Sequence, residues 1–367
     1  MVIGIDASRA ETADRTGVER YSFEIIRALR ATLPAEASVV LYSRAPLAPE
    51  LGPWGPRWEN RVLGWRPRFL WTQLRLSFEM ARRPPDVLFV PSALLPRVLP
   101  KRSVTTIHDA TFVSHPRLYP TIERFTRMAG LRDACRRATT VIVPSQFAAH
   151  QIARYRGSGG VVIPLGVNTP SPAPPRLGEG SNPLLWGGEI ERRKKYFLAL
   201  GRIDKKKNLP IAIDAFARFA QTHPDHTLKF IGKFDFGAHE IVAYAQKSGV
   251  VDRIAFLGAV PDAKLAGEIT GAVALLHPCP VEGFGLPVIE AMAFGTPVIV
   301  AEGGGAHEVA GDAALVCASS DVAAWAEAMG QVSYDMVRRS LIERGRARAV
   351  QFDWARAANG TWKALLG

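Results

Sequence analysis

Cysteine is scarce. Cys135, Cys279 and Cys317 are the whole complement of the 367-residue chain, and no two stand at a metal-ligand or redox spacing. Their scatter excludes a disulfide framework and fits a reducing, cytosolic setting. Also missing is any run of 18 or more uncharged apolar residues, so no membrane-spanning helix is expected. The first residues, MVIGIDASRAE, lack the basic start, long apolar stretch and cleavage site of a secretory leader. Lysine is nearly absent from the first 170 residues, which hold 23 Arg and 1 Lys against 13 acids. The remainder is balanced, with 22 basic and 21 acidic residues, so the net charge of +12 sits almost wholly in the first half. Such one-sided arginine favours phosphates, whether of nucleic acid or of anionic lipid. A codon bias toward Arg would explain Arg over Lys but not the imbalance. No RRM, zinc-finger or comparable signature is present, and no nucleic-acid partner is expected.

The hydrophobic content is 47% and the charged content 22%, as in an ordinary soluble protein, and the length predicts two domains. In the first half VIGIDAS, ASVVLYS, DVLFVPS, SVTTIHD, TTVIVPS and GVVIPLG read as short buried strands with helices between them. In the second half YFLALGR, TLKFIGK, RIAFLG, AVALLHP, TPVIVAE and AALVCA repeat the theme. The Pro/Gly/Ser-rich stretch at 168–183 is the natural linker. The expected architecture is therefore two parallel α/β domains, 1–170 and 184–352, joined by a linker at 171–183. Ligands are expected at the strand C-termini and in the cleft between domains.

Two segments of the second half carry chemistry. In FLALGRIDKKKNLPIAI a buried strand runs into Gly201-Arg202, then a basic loop, with Asn208 expected to cap the next helix. Arg202 and Lys207 at a strand end are placed to hold a diphosphate and neutralise charge as it leaves. In EGFGLPVIEAMAFG, Glu282 precedes a glycine turn, Pro287 suits a first helical turn, and Glu290 lies within the helix. Gly283 and Gly285 let backbone N–H groups approach an anion, and the helix end adds positive dipole. A carboxylate suits hydroxyls rather than phosphate, so Glu282 is assigned to a sugar ring and Glu290 to a ribose.

Together, Glu282-x7-Glu290, Gly201-Arg202 with Lys207-Asn208, and Gly303-Gly304-Gly305-Ala306-His307-Glu308 followed by GDAAL resemble the retaining glycosyltransferases of family 4. Those enzymes have the GT-B fold, and the chain looks most like bacterial mannosyltransferases of polysaccharide or lipid-linked glycan assembly. The resemblance spans essentially the whole chain. It implies transfer of a hexose from a nucleoside diphosphate sugar to a hydroxyl of a lipid-linked or growing cell-surface glycan. GDP-mannose is the expected donor. A UDP-sugar (glucose, galactose or N-acetylglucosamine) is the alternative, and a sugar-nucleotide epimerase of the same fold is a further one.

The resemblance also assigns residues. Arg202, Lys207, Glu282 and His108 would be catalytic. Gly17, Gly201, Gly283, Phe284, Gly285, Leu286 and Glu290 would bind the donor. Thr16, Val18 and Asp109 would lie on the acceptor side, with Arg20 a weaker candidate. Ser145, at an expected helix start, Gly166 and Val167 would be scaffold, and Glu19 would face acceptor or cap its helix. The last 15 residues or so, about 353–367, would return to the first domain. No Asp-x-Asp occurs, so the metal clamp of another glycosyltransferase fold is not signalled, and neither metal nor other cofactor is expected.

The stretch WRPRFLWTQLRLSFEMARRPPD predicts a helix from about Phe69 to Arg83. Leu70, Leu74, Phe78 and Ala81, joined by Trp71, form one face, and Arg68, Arg75 and Arg82 recur roughly opposite. With Arg83, and the second basic region from Arg117 to Arg137, it is expected to lie on an anionic membrane, the inner face of the plasma membrane.

Overall fold

The computed structural model describes residues 1–12, 15, 17–65, 70–168 and 195–367. The linker expected at 171–183, together with Thr16, Arg68 and Phe69, lies outside the described residues. The chain divides into two units, Met1–Gly166 with Asp353–Gly367, and Val167–Phe352.

The first unit holds β1 (Val2–Asp6), α1 (Gly17–Ala31), β2 (Ser38–Ser43), β3 (Trp58–Val62), α2 (Ser77–Arg82), β4 (Val87–Val90), β5 (Arg102–Thr106), α3 (Thr111–Ser114), α4 (Thr121–Arg137), β6 (Thr140–Val143), α5 (Gln146–Arg156) and β7 (Val161–Val162). Its strands form one sheet in the order β3-β2-β1-β4-β5-β6-β7, every pairing parallel. The inner strands are continuous apolar runs because helices cover both faces of such a sheet. WENRV of β3 is the strand that the apolar pattern misses. It pairs on one side only, with β2, and its outer residues stay partly exposed, so burial never selected a hydrophobic run there. Ser145 caps α5 as expected, its Oγ accepting from the Ala148 N–H at 3.0 Å.

The second unit holds β8 (Tyr196–Leu200), α6 (Leu209–Phe219), β9 (Thr227–Ile231), α7 (Ala238–Gln246), β10 (Ile254–Phe256), α8 (Asp262–Gly271), β11 (Ala274–His277), α9 (Leu286–Ala293), β12 (Val298–Ala301), α10 (Gly304–Ala310), β13 (Leu315–Cys317), α11 (Val322–Gln331) and α12 (Asp335–Ala349). Its sheet, also parallel, runs β10-β9-β8-β11-β12-β13. The order reverses between β8 and β11, leaving a crevice beyond their C-terminal ends. That is where doubly wound sheets bind ligands, because the two following loops diverge to opposite faces. In the first unit the reversal falls between β1 and β4.

The last helix, α13 (Trp354–Leu366), packs in the first unit. Trp354, Ala357, Ala358, Thr361, Trp362 and Leu365 recur at helical spacing on its buried face. Trp362 Nε1 donates to Thr32 Oγ1 on the loop after α1 at 3.1 Å, and Arg102 donates to the Leu366 carbonyl at 3.2 Å.

The helix expected from about Phe69 to Arg83 is corrected in two respects. A π-helical turn, Trp71–Leu76, precedes α2, which shifts the side-chain period. Trp71 turns inward, 4% exposed, with its Nε1 donating to the buried Asp6 carboxylate at 3.4 Å, so it belongs to the core and not to a surface face. Leu70, Leu74 and Phe78 are the exposed apolar residues instead. Arg75 folds back onto the Leu63 carbonyl and Glu79, whereas Arg82 and Arg83 face solvent. Among the described residues no helix is long and apolar enough to cross a membrane.

Candidate active site

The loop after β8 is organised by its own acid. Asp204 caps the 3-10 turn Lys205–Lys207, its Oδ1 accepting from the Lys207 N–H at 3.1 Å. Asn208 stands at the start of α6 but does not cap it. Its backbone is left-handed (φ 51°), and its Nδ2 donates to the Ser319 and Pro278 carbonyls at 2.8 and 3.3 Å. The side chain thus ties the β8, β11 and β13 loops together, work that the capping assignment overlooked.

That turn delivers Lys207 to the loop after β11. Its Nζ donates to Glu282 Oε2, and Lys206 Nζ lies 3.8 Å from Oε1 of the same carboxylate. Both lysines and Glu282 are largely buried. Burial alone pushes the Glu282 carboxyl up, but the Lys207 and Lys206 charges outweigh it and hold the group well below the usual carboxylate range. Burial likewise pulls Lys207 down, and Glu282 more than restores it. The pair is therefore ionised. Cys279 beside it is no nucleophile, since burial pushes its thiol up to about 12 and its Sγ donates to the Lys206 carbonyl at 3.1 Å.

Arg202 takes a different position from Lys207. It is half-exposed and paired at 2.8 Å with Asp235, from the loop after β9. The two expected cations both stand at the crevice, one buried and one at its rim, each already held by a carboxylate.

The turn bearing Glu282 depends on the later glycine run. Gly285 (φ 94°) stands at the N-terminus of α9, and a Cβ there would lie 2.7 Å from Ala306 Cβ. The Gly305 N–H donates to the Glu282 carbonyl at 2.6 Å, and a Cβ on Gly305 would sit 2.2 Å from the Gly283 oxygen. The GGxxE-type segment is therefore the surface against which the Glu282 turn is pressed. Pro287 occupies the first turn of α9, and Glu290 is buried further along it. Phe284 turns its ring away from the crevice mouth. The residue is 5% exposed and its ring packs edge-on against Phe352 at 5.8 Å.

Two residues were not anticipated. Lys206 was hidden in a run of three lysines. His277, the last residue of β11, is 2% exposed, and its Nε2 lies 3.8 Å from Glu282 Oε2 without a hydrogen bond. Burial first, and the Lys207 and Lys206 charges next, lower its pKa to about 3, against the pull of Glu282, so it is neutral. The unfolded chain protonates this ring near 6.5 and the folded chain does not, so falling pH favours unfolding through that window. Between pH 6.5 and 3 His277 should remove up to about 1.4 kcal/mol of stability per pH unit. His277→Phe is expected to flatten this slope in melts across that range, and an unchanged slope would contradict the assignment.

In the first unit His108 follows β5. Its Nε2 can only donate to the Pro91 carbonyl at 3.2 Å, which leaves Nδ1 as an acceptor in the neutral ring. Burial lowers its pKa, and the ring edge meets Tyr21 at a centroid distance of 4.7 Å. Asp109 accepts from the Thr111 N–H at 3.2 Å, which makes it a starting group for α3. Gly17 opens α1 with no atom of the described residues within 4 Å of where a Cβ would stand, Val18 is half-buried beside it, and Glu19 pairs with Arg9 at 3.6 Å.

Known proteins bear on this arrangement. The family model described as Glycosyltransferase Family 4 matches residues 15–170, and that described as Glycosyl transferases group 1 matches residues 186–348. O-antigen chain mannosyltransferase B of Escherichia coli is 27% identical over 274 residues, covering 74% of this chain and 71% of its own. Sucrose-phosphate synthase from Thermosynechococcus elongatus superposes with a TM-score of 0.74 at 21% identity, covering 99% of this chain and 98% of its own. Anabaena Alr3699/HepE, solved in complex with UDP and glucose, gives a TM-score of 0.70 at 19% identity, over 100% of this chain and 99% of its own. The chain belongs to the glycosyltransferases, with a family 4 half and a group 1 half on the GT-B fold.

Proposed function

We propose that this glycosyltransferase moves a hexose from a nucleoside diphosphate sugar to a hydroxyl of a lipid-linked or growing cell-surface glycan, with retention at the anomeric carbon. The observation that carries the reading is the buried Lys207–Glu282 pair at the β8/β11 crevice. It sets a cation suited to a diphosphate beside a carboxylate suited to sugar hydroxyls. Arg202 and Lys207 neutralise the leaving diphosphate without a metal, so activity should survive a chelator. The backbone at Gly201, Gly283, Phe284, Gly285 and Leu286 approaches its oxygens. Glu282 holds the sugar, Glu290 the ribose, and His108 Nδ1 accepts from a sugar hydroxyl.

As the acceptor oxygen bonds to the anomeric carbon, the bond to the β-phosphate oxygen breaks on the same face. That phosphate oxygen takes the acceptor's proton. In the first unit Gly17, at the start of α1, is assigned to the donor diphosphate. Thr16, Val18 and Asp109 are assigned to the acceptor side.

GDP-mannose is the proposed donor, its mannose supported by the name of the mannosyltransferase relative. A panel of GDP, UDP, ADP and their sugars tests it by thermal shift. At a hundredfold excess over Kd the right donor should raise Tm by about 5 °C or more. A larger shift from a UDP-sugar would replace mannose as the proposal, and no shift from any would sink the donor site.

The same reading places the enzyme on the inner face of the plasma membrane. Leu74 and Phe78 of the first unit are exposed, as are Ile122 (81%) and Phe125 (63%) on α4, and Leu94 and Val98 on the loop between β4 and β5. That loop is fixed to α2 by the Arg97 N–H donating to Ser77 Oγ at 2.8 Å, and to α4 by Arg137 donating to the Pro96 carbonyl at 3.0 Å. Arg82, Arg83, Arg132 and Arg136 face solvent around it. Each basic residue near an anionic bilayer contributes about 1 kcal/mol. Binding to anionic vesicles should be lost in high salt and fall about tenfold or more in Phe125→Glu, with none to neutral vesicles. Salt-insensitive binding would contradict the proposal.

A further inference from the structure

His277 ends a central strand at the point where the second sheet reverses its order, yet its Nε2 makes no hydrogen bond. His277 lines a small open cleft together with Gly201, Arg202, Lys207 and Pro278. Buried polar groups are normally paired, and a partnerless one at a ligand crevice indicates a partner supplied in another state.

Resting on the donor reading above, the charges identify that state. Lys207 donates to Glu282, and Lys206 stands 3.8 Å from it. A diphosphate in the crevice carries more negative charge than one carboxylate, so it draws both ammonium groups toward itself. Glu282 then loses its cations while remaining buried. His277 is the neutral neighbour of that carboxylate, and a diphosphate exerts no comparable pull on it. Its Nε2 is 3.8 Å from Glu282 Oε2, and a shift of about 1 Å makes a normal hydrogen bond.

We propose that His277 is a positioning residue: with the donor bound, its Nε2–H donates to the Glu282 carboxylate and keeps it aimed at the sugar hydroxyls. Lys207 thereby serves the diphosphate, and the imidazole takes over the carboxylate. No proton is transferred.

The test compares wild type, His277→Phe and His277→Gln. Phenylalanine keeps an aromatic ring and removes the donor; glutamine restores an N–H at similar reach. In His277→Phe the KM for the nucleotide sugar should rise about tenfold, with kcat within about threefold. Affinity for the nucleoside diphosphate alone, which has no sugar to hold, should stay within about twofold. Glutamine should recover most of the KM. An unchanged KM in His277→Phe, or equal losses for nucleotide sugar and free diphosphate, would overturn the proposal. If the phenylalanine variant melts early, His277→Leu carries the same comparison. A wild-type protein that binds no nucleotide sugar overturns the donor reading first, and this proposal with it.

Discussion

Lys207→Ala is expected to lower kcat for sugar transfer by about 100-fold or more, the loss seen when a preorganised group facing developing charge is removed. The same change leaves Glu282 buried with Lys206 at 3.8 Å as its nearest cation. Breaking a buried ion pair from one side costs about 3 kcal/mol or more, so the variant should also melt earlier. The two effects separate in Lys207→Ala/Glu282→Gln. Neutralising the orphaned carboxylate should recover much of the stability and none of the activity. Arg202→Ala makes the contrast. Its pair with Asp235 is half-exposed, and such pairs contribute about 0–1 kcal/mol, so stability should barely move while turnover falls. Initial rates and melts on the four proteins decide the matter. Near-normal kcat in both single cation variants would remove the assigned role.

Gly305→Ala is expected to be as damaging without touching a charged group. The added Cβ would lie 2.2 Å from the Gly283 oxygen, 2.5 Å from its carbonyl carbon and 2.8 Å from the Phe284 nitrogen. All three are backbone atoms, so no side chain can swing aside, and either the turn or α10 must move. Overpacking of this kind costs about 1–3 kcal/mol or more. It would also stretch the bond from the Gly305 N–H to the Glu282 carbonyl, displacing the carboxylate. Donor affinity and Tm should fall together. Gly330→Ala is the control, since nothing among the described residues lies within 4 Å of that Cβ and the residue sits in α11, where alanine stabilises by about 0.5–1 kcal/mol. Equal behaviour of the two variants would show that the glycine run does not support the turn.

Much of this molecule was legible before its structure. The inner strands announce themselves as apolar runs because a parallel sheet is buried on both faces. β3 escaped notice because an edge strand is not. EGFGLPVIE marked Glu282 and Glu290, since a glycine turn entering a helix through proline is written within nine consecutive residues. Trp71 was misplaced for the opposite reason. A π-helical turn shifts the period on which a helical face is read, and no local signal in WTQLRL announces it. His277 was passed over because a histidine ending a strand has no meaning until its neighbours are known.

The sequence by itself determined the two α/β halves, the loops that carry chemistry, and the charge types in them, because each is written in residues close along the chain. Only the tertiary structure decided how those charges meet. Lys207 and Glu282 are 75 residues apart, and they touch because β8 and β11 lie side by side where the sheet reverses. Strand order follows from packing the whole unit. It therefore fixes which cation faces which carboxylate, that Arg202 turns instead to Asp235, and that a neutral imidazole waits beside them.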